Sequence, residues 1–150
     1  KWYQQLIAES LGKKSLGLLP LVSSMPKDNH SLMQLYLDGP NKYFYTFFNV
    51  LENKNIKIKN EGVLNTHKFL KNLSIEKIKQ SQMIATEKVF ISKKIPFRSF
   101  RILKRNEQSL GELFCFFILE TILLGRALNV NPFDQPSVEL IKIETKKILT

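Results

Sequence analysis

Apolar positions recur at helical spacing in several stretches of the chain and alternate, or cluster with aromatics, in several shorter ones. Residues 2–12, WYQQLIAESLG, read as an amphipathic helix, with Gly12 a good residue to end it. LGLLPLV (16–22) is short, apolar and bounded by turn residues, which predicts a buried strand or loop. In KDNHSLMQLYLDGP (27–40), Asp28 or Asn29 is expected to cap a helix that continues through Leu37 and stops at Gly39-Pro40. KYFYTFFNVL (42–51) is aromatic and β-branched, a strand by composition, and IKIKN (56–60) alternates as a strand with one wet face does. From Ser74, with Glu76 close behind, Ile75, Ile78, Met83, Ile84 and Val89 fall at helical spacing. PFRSFRIL (96–103) predicts another strand, and residues 108–128 a hydrophobic core helix. The loop NVNPFDQPSV then leads into a last helix that begins near Pro136, a residue suited to a first helical turn. Strands alternating with helices predict a three-layer α/β domain with a mostly parallel sheet. The helix-first order predicts a sheet incomplete at its N-terminal side.

Composition narrows the class. At 150 residues and 43% hydrophobic content, with 11 phenylalanines, the chain is one globular domain or a large piece of one. A single cysteine, Cys115, cannot staple the chain, so a reducing, cytoplasmic setting is expected. Two histidines and that cysteine lie well apart and give no metal-ligand spacing, so no metal and no cofactor are expected. No signal peptide is visible. LGELFCFFILETILLG (110–125) is interrupted by Glu112 and Glu120, so a buried helix is expected rather than a membrane span of roughly 20 apolar residues. The formal charge of +10 invites a nucleic-acid reading, but the lysines are scattered among Asn and Ile, as on a solvated surface. The expectation is therefore no nucleic acid and no membrane. A basic surface also suits a sugar phosphate.

Three polar groups sit where a simpler pattern would have served. Gln5 and Glu9 are one helical turn apart among apolar neighbours; for a carboxylate alone, a solvated face explains as much. His30 follows a candidate N-cap, where the positive end of a helix would meet it and a neutral imidazole can shuttle protons. Pro132 and Pro136 stiffen the loop around Asp134 and Gln135, and Lys142 follows Gln135 by about two turns.

Taken in order, these stretches resemble the C-terminal portion of the phosphoglucose isomerase (glucose-6-phosphate isomerase) family. YQQLIAESLGK resembles the segment with the family's catalytic glutamate in an E-S-x-G-K setting. DNHSLMQLYLDGP is similar to D-Q-H-S-x-x-Q-L-Y-x-D-G-P, and FDQPSVELIK to F-D-Q-x-G-V-E-x-G-K. The likeness runs nearly the whole chain and is weakest over residues 54–94.

The resemblance implies a SIS-type α/β/α domain and an aldose–ketose isomerase that interconverts glucose 6-phosphate and fructose 6-phosphate through a cis-enediol. It implies Glu9 as the base between C1 and C2, and Gln5 and Gln135 as substrate contacts. His30 and Lys142 would handle protons in ring opening, with His30 serving the partner's site in a homodimer. One carboxylate suffices for this chemistry, because it can return to one carbon the proton it took from its neighbour.

The family's Ser/Thr-rich phosphate loop and its Gly-Gly-Arg segment have no counterpart here. The expected partners are accordingly the N-terminal half of the same enzyme and a sugar-phosphate substrate, and the piece alone is expected to have little activity. Asn29, Ser137 and Ile141 stand where the family shows Gln, Gly and Gly. The departures at Ser137 and Ile141 favour one alternative, a module that binds sugar phosphates without catalysis.

Overall fold

The aromatic runs form the two strands that their composition predicts. β1 (Tyr45–Val50) and β2 (Phe97–Ile102) lie parallel, in a register that sets Tyr45 beside Phe97 and Val50 beside Ile102. Parallel strands cannot be joined by a tight turn, and the long connection here carries a 3₁₀ segment (Asn65–Leu70) and a helix, α4 (Ile75–Ser92). The computed structural model describes residues 1–40, 42–51, 56–59, 61 and 63–150. These divide into two units, residues 23–109 and residues 1–22 with 110–150.

In the 23–109 unit the core centres on Phe90 of α4, which is fully buried. Its ring meets Tyr45, Phe47 and Phe97 with centroids 5.0, 5.2 and 5.9 Å away, all edge-on. Those three residues share one face of the sheet, as the alternation of strand side chains requires. Glu87 extends the same contact, accepting a hydrogen bond from Ser99 at 2.5 Å. Ser74 caps α4 as expected: its hydroxyl accepts from the Lys77 N–H at 3.1 Å.

Several expectations are corrected here. KDNHSLMQLYLD forms two short helices, α2 (Lys27–Ser31) and α3 (Met33–Asp38), with the break at Leu32. The cap of α2 is Pro26, not Asp28 or Asn29; Asp28 lies in the first turn and accepts from the Ser24 N–H. IKIKN forms no strand among its described residues, only a single antiparallel bridge from Lys57 to Ser74, and Asn60 lies outside the described residues.

The other unit contains α1 (Trp2–Leu11), most of α5 (Glu107–Ala127) and α6 (Pro136–Leu149). Ile7, Leu11 and Val130 are buried together, with Tyr3, Leu124 and Leu128 packed against them. Glu120, which breaks the apolar run of α5, accepts a hydrogen bond from the Tyr3 hydroxyl at 2.9 Å. No helix among the described residues is long and apolar enough to cross a membrane.

α5 is less enclosed than its composition predicts. Phe117, Thr121 and Gly125 are buried, whereas Phe116, Leu119 and Leu123 are exposed. A helix that is apolar all round does not reveal in its sequence which stripe a neighbour covers. LGLLPLV is likewise exposed rather than buried, with Leu19 at 85%. It enters no ladder, and its chain turns at Gly17 (φ +120°), where a Cβ would stand 2.7 Å from the Leu11 carbonyl oxygen.

The described residues thus form a mixed helix and strand fold of the α/β class, with a small parallel sheet.

Candidate active site

Gln5 and Glu9 stand four positions apart, so both lie on one face of α1, while Ile7 and Leu11 anchor the other side in the core. The Gln5 side-chain amide donates to Glu9 Oε1 at 2.9 Å. A second amide reaches the same carboxylate from far along the chain: Gln135 Nε2 donates to Glu9 Oε2 at 3.3 Å. A carboxylate accepts about four hydrogen bonds. These two therefore orient it through both oxygens and leave lone pairs for a substrate proton.

Gln135 owes its place to the loop before α6. It is the N-cap residue of that helix, with non-helical backbone (φ −140°, ψ 60°), yet its side chain does not cap. Pro136 follows at the first helical position, where its missing N–H costs nothing. With no capping duty, the Gln135 amide is available to Glu9.

The loop is fastened to the end of α1. Past Gly12, whose N–H donates to the Ala8 carbonyl at 3.1 Å, Lys14 and Ser15 adopt left-handed backbone (φ +53° and +59°). A Cβ on Gly12 would stand 2.7 Å from the Ala8 oxygen, so glycine allows this tight exit. Lys13 Nζ donates to Asp134 Oδ1 at 2.7 Å and to the Asn131 carbonyl. Lys14 Nζ donates to the Asn129 carbonyl at 3.0 Å. Asn131 closes the arrangement, with Nδ2 donating to Asp134 Oδ2 at 3.0 Å and Oδ1 accepting from the Phe133 N–H at 3.1 Å. The Lys13 hydrogen bond holds the Asp134 carboxyl below its ordinary value, against the opposing effect of desolvation. Gly125 of α5 lies close under the loop: a Cβ there would stand 3.2 Å from the Pro132 ring.

Lys142 lies on α6, exposed, with its amine paired to Glu139 Oε1 at 2.5 Å one turn earlier. His30 belongs to the other unit and is exposed in the last turn of α2. It is therefore near the C-terminal end of a helix, and the expectation that it faces the positive end is corrected. The adjacent Asn29 has a buried side-chain oxygen without a hydrogen-bond partner. Among the sequence candidates, the structure brings together Gln5, Glu9 and Gln135. Lys13 and Asn131 were not singled out from the sequence, although Lys13 closes the E-S-x-G-K stretch. Among the described residues no three of His, Cys, Asp and Glu gather into a group fit to hold a metal ion.

No family model matches the chain. It is 36% identical over 149 residues to the probable glucose-6-phosphate isomerase of Methanococcus maripaludis, covering 99% of this chain and 33% of that protein. It is 36% identical over 154 residues to the glucose-6-phosphate isomerase of Methanocaldococcus jannaschii (98% and 35%). For the Campylobacter jejuni enzyme the identity is 34% over 158 residues (99% and 38%). Among solved structures, a hypothetical protein from Thermus thermophilus superimposes with a TM-score of 0.90 at 26% identity, covering 99% of this chain and 37% of that one. The chain thus resembles glucose-6-phosphate isomerases along its length and spans about a third of the length of the curated relatives it matches.

Proposed function

We propose that this chain carries the C-terminal, SIS-type part of a glucose-6-phosphate isomerase and supplies its proton-relay base. The observation that carries the reading is the pair of amides, Gln5 and Gln135, converging on the two oxygens of Glu9. Likeness over nearly the whole chain to proteins of that name supports it.

In the proposed reaction, Glu9 takes the proton from C2 of open-chain glucose 6-phosphate. The C–H electron pair becomes the C1=C2 bond of the cis-enediol as the aldehyde oxygen gains a proton. Glu9 then returns its proton to C1, the C2 hydroxyl loses its own, and fructose 6-phosphate results. One correctly placed base meets both demands, because the two carbons are neighbours and the carboxylate has two oxygens. Gln5 and Gln135 hold the carboxylate and bind the sugar. His30 and Lys142 assist ring opening, with Lys142 exchanging its Glu139 partner for the sugar and His30 serving the partner's site in a cytoplasmic homodimer. The phosphate grip and the arginine for the enediolate come from the N-terminal half. The three-layer sheet is completed there too, and these 150 residues alone have little activity.

The test is isomerisation by the complete protein in deuterated water. A base relay places deuterium at C2 of glucose 6-phosphate formed from fructose 6-phosphate. Turnover undiminished in a Glu9→Gln variant would refute the relay through Glu9, and sugar-phosphate binding without turnover would favour the non-catalytic module.

A further inference from the structure

The weaker of the two contacts on Glu9 is the 3.3 Å bond from Gln135, and that bond depends on where the loop before α6 stands. We infer that Lys13 is a positioning residue for the isomerase site: its amine, held between the Asp134 carboxylate and the Asn131 carbonyl, fixes the loop that presents Gln135 to Glu9. The inference rests on the isomerase reading above for its catalytic consequence, and on the loop geometry for the rest.

Three features of the structure support it. First, the Lys13 side chain is only 10% exposed, although lysine is almost never enclosed unless paired. Second, an ammonium has three donors and no acceptor, and two of those donors go to the loop, one to the residue immediately before Gln135. Third, the groups that Lys13 joins are both acceptors. Without the cation neither acceptor has a donor from the segment that follows α1, and the Asn131 Nδ2–Asp134 bond, internal to the loop, does not hold the loop to that segment. The neighbouring Lys14–Asn129 bond ties the start of the same loop but reaches no residue adjacent to Gln135. Lys13 contacts neither Glu9 nor Gln135 in these bonds, so it acts through Gln135.

A double-mutant cycle in the complete protein tests this. Lys13→Ala is expected to lower kcat/KM about ten- to hundredfold, the worth of one hydrogen bond to a charged group. In a Gln135→Ala background the same change is expected to cost less than about threefold, because the contact it supports is already gone. Losses that multiply in the double variant would overturn the inference. Lys13→Arg, which keeps the charge and donors for both acceptors, is expected to retain more activity than Lys13→Ala; an Arg variant that folds and is as impaired as Ala would count against it. Asp134→Asn, a near-isosteric change on the loop side, is expected to lose activity in the same non-additive way, and it decides the matter should Lys13→Ala fail to fold. A readout independent of turnover separates this inference from the isomerase reading. In nitrogen-15 spectra, Lys13→Ala should shift the Gln135 side-chain amide pair, as Glu9→Gln should. An unmoved amide overturns the positioning role even in an active enzyme. A moved amide in a protein that does not isomerise upholds the positioning and overturns the reaction.

Discussion

Shortening the proposed base by one methylene group is the most informative single change. In Glu9→Asp the carboxylate keeps its charge but withdraws toward α1 by about one C–C bond, roughly 1.5 Å. The Gln135 amide already stands 3.3 Å from Oε2, so this withdrawal takes it beyond hydrogen-bonding reach, and the 2.9 Å Gln5 contact must be rebuilt. One hydrogen bond to a charged acceptor is worth about 1.5–3 kcal/mol, which at 1.36 kcal/mol per decade is roughly a 10- to 150-fold loss of rate. Displacement offers an independent measure: a shift of about 1 Å in a reacting group can cost on the order of a hundredfold. The two agree. The loss should fall mainly on kcat, because proton transfer at C2 suffers more than binding of the sugar. Glu9→Gln should lose more, about a hundred- to ten-thousandfold, since it removes the base and turns an amide toward two amide donors. Initial rates with fructose 6-phosphate as substrate, in the complete protein, measure both variants. Neither should shift the melting temperature, because the apolar anchors of α1 are Ile7 and Leu11. An aspartate variant within threefold of the parent would refute the claim that the reach set by the two amides matters. Equal losses for Asp and Gln would refute the base.

Three further outcomes follow from the packing and the charges. Ser74→Ala should destabilise the 150-residue chain by about 1 kcal/mol in urea unfolding, through loss of the cap that receives the Lys77 N–H. Phe90→Ala should cost about 3–5 kcal/mol. Phe90→Leu should cost only about 1–3 kcal/mol, because it keeps apolar volume and loses the three edge-on ring pairs. The Asp134 carboxyl is depressed by its bond from Lys13 and Asp38 by its bond from Lys93, both below the ordinary 3.8. Their contribution to stability is therefore complete above that value and is lost as pH falls through the depressed ones. Unfolding followed from pH 5 downward should show a slope over that range that Asp134→Asn flattens; an unchanged slope would contradict the pairing.

How much of this was legible in the sequence depended on whether the information was local. Ser74 followed by Glu76 and a helical apolar stripe is a complete helix start within a few residues, and α4 begins where it predicts. YTFFNV and FRSFRI announce strands by composition, and parallel pairing follows from the long helical connection between them. The split at Leu32 has no signal in the sequence, because the residues on either side are all acceptable in one helix; the break lies in the backbone (φ −121°, ψ −19°), not in a Gly or Pro. LGLLPLV and the outer side of α5 misled for a related reason. Hydrophobicity alone does not decide burial, because a large share of a folded protein's surface is apolar.

The polar cluster shows the same boundary at the level of chemistry. The spacing of Gln5 and Glu9 alone places two side chains on one turn, which a solvated helix face satisfies equally well. Gln135 removes that equivalence: a residue 126 positions away, standing at a helix N-cap yet not capping it, directs its amide to the second oxygen of the same carboxylate. No periodicity within either segment encodes that meeting. It depends on Gly12, which allows α1 to end tightly, on the left-handed turn at Lys14 and Ser15, and on an enclosed lysine that draws the loop in. A glutamine freed from capping and a lysine withdrawn from solvent are each unremarkable in a sequence. Together they give Glu9 a fixed orientation without occupying all its lone pairs, and that is what distinguishes a candidate base from a surface carboxylate.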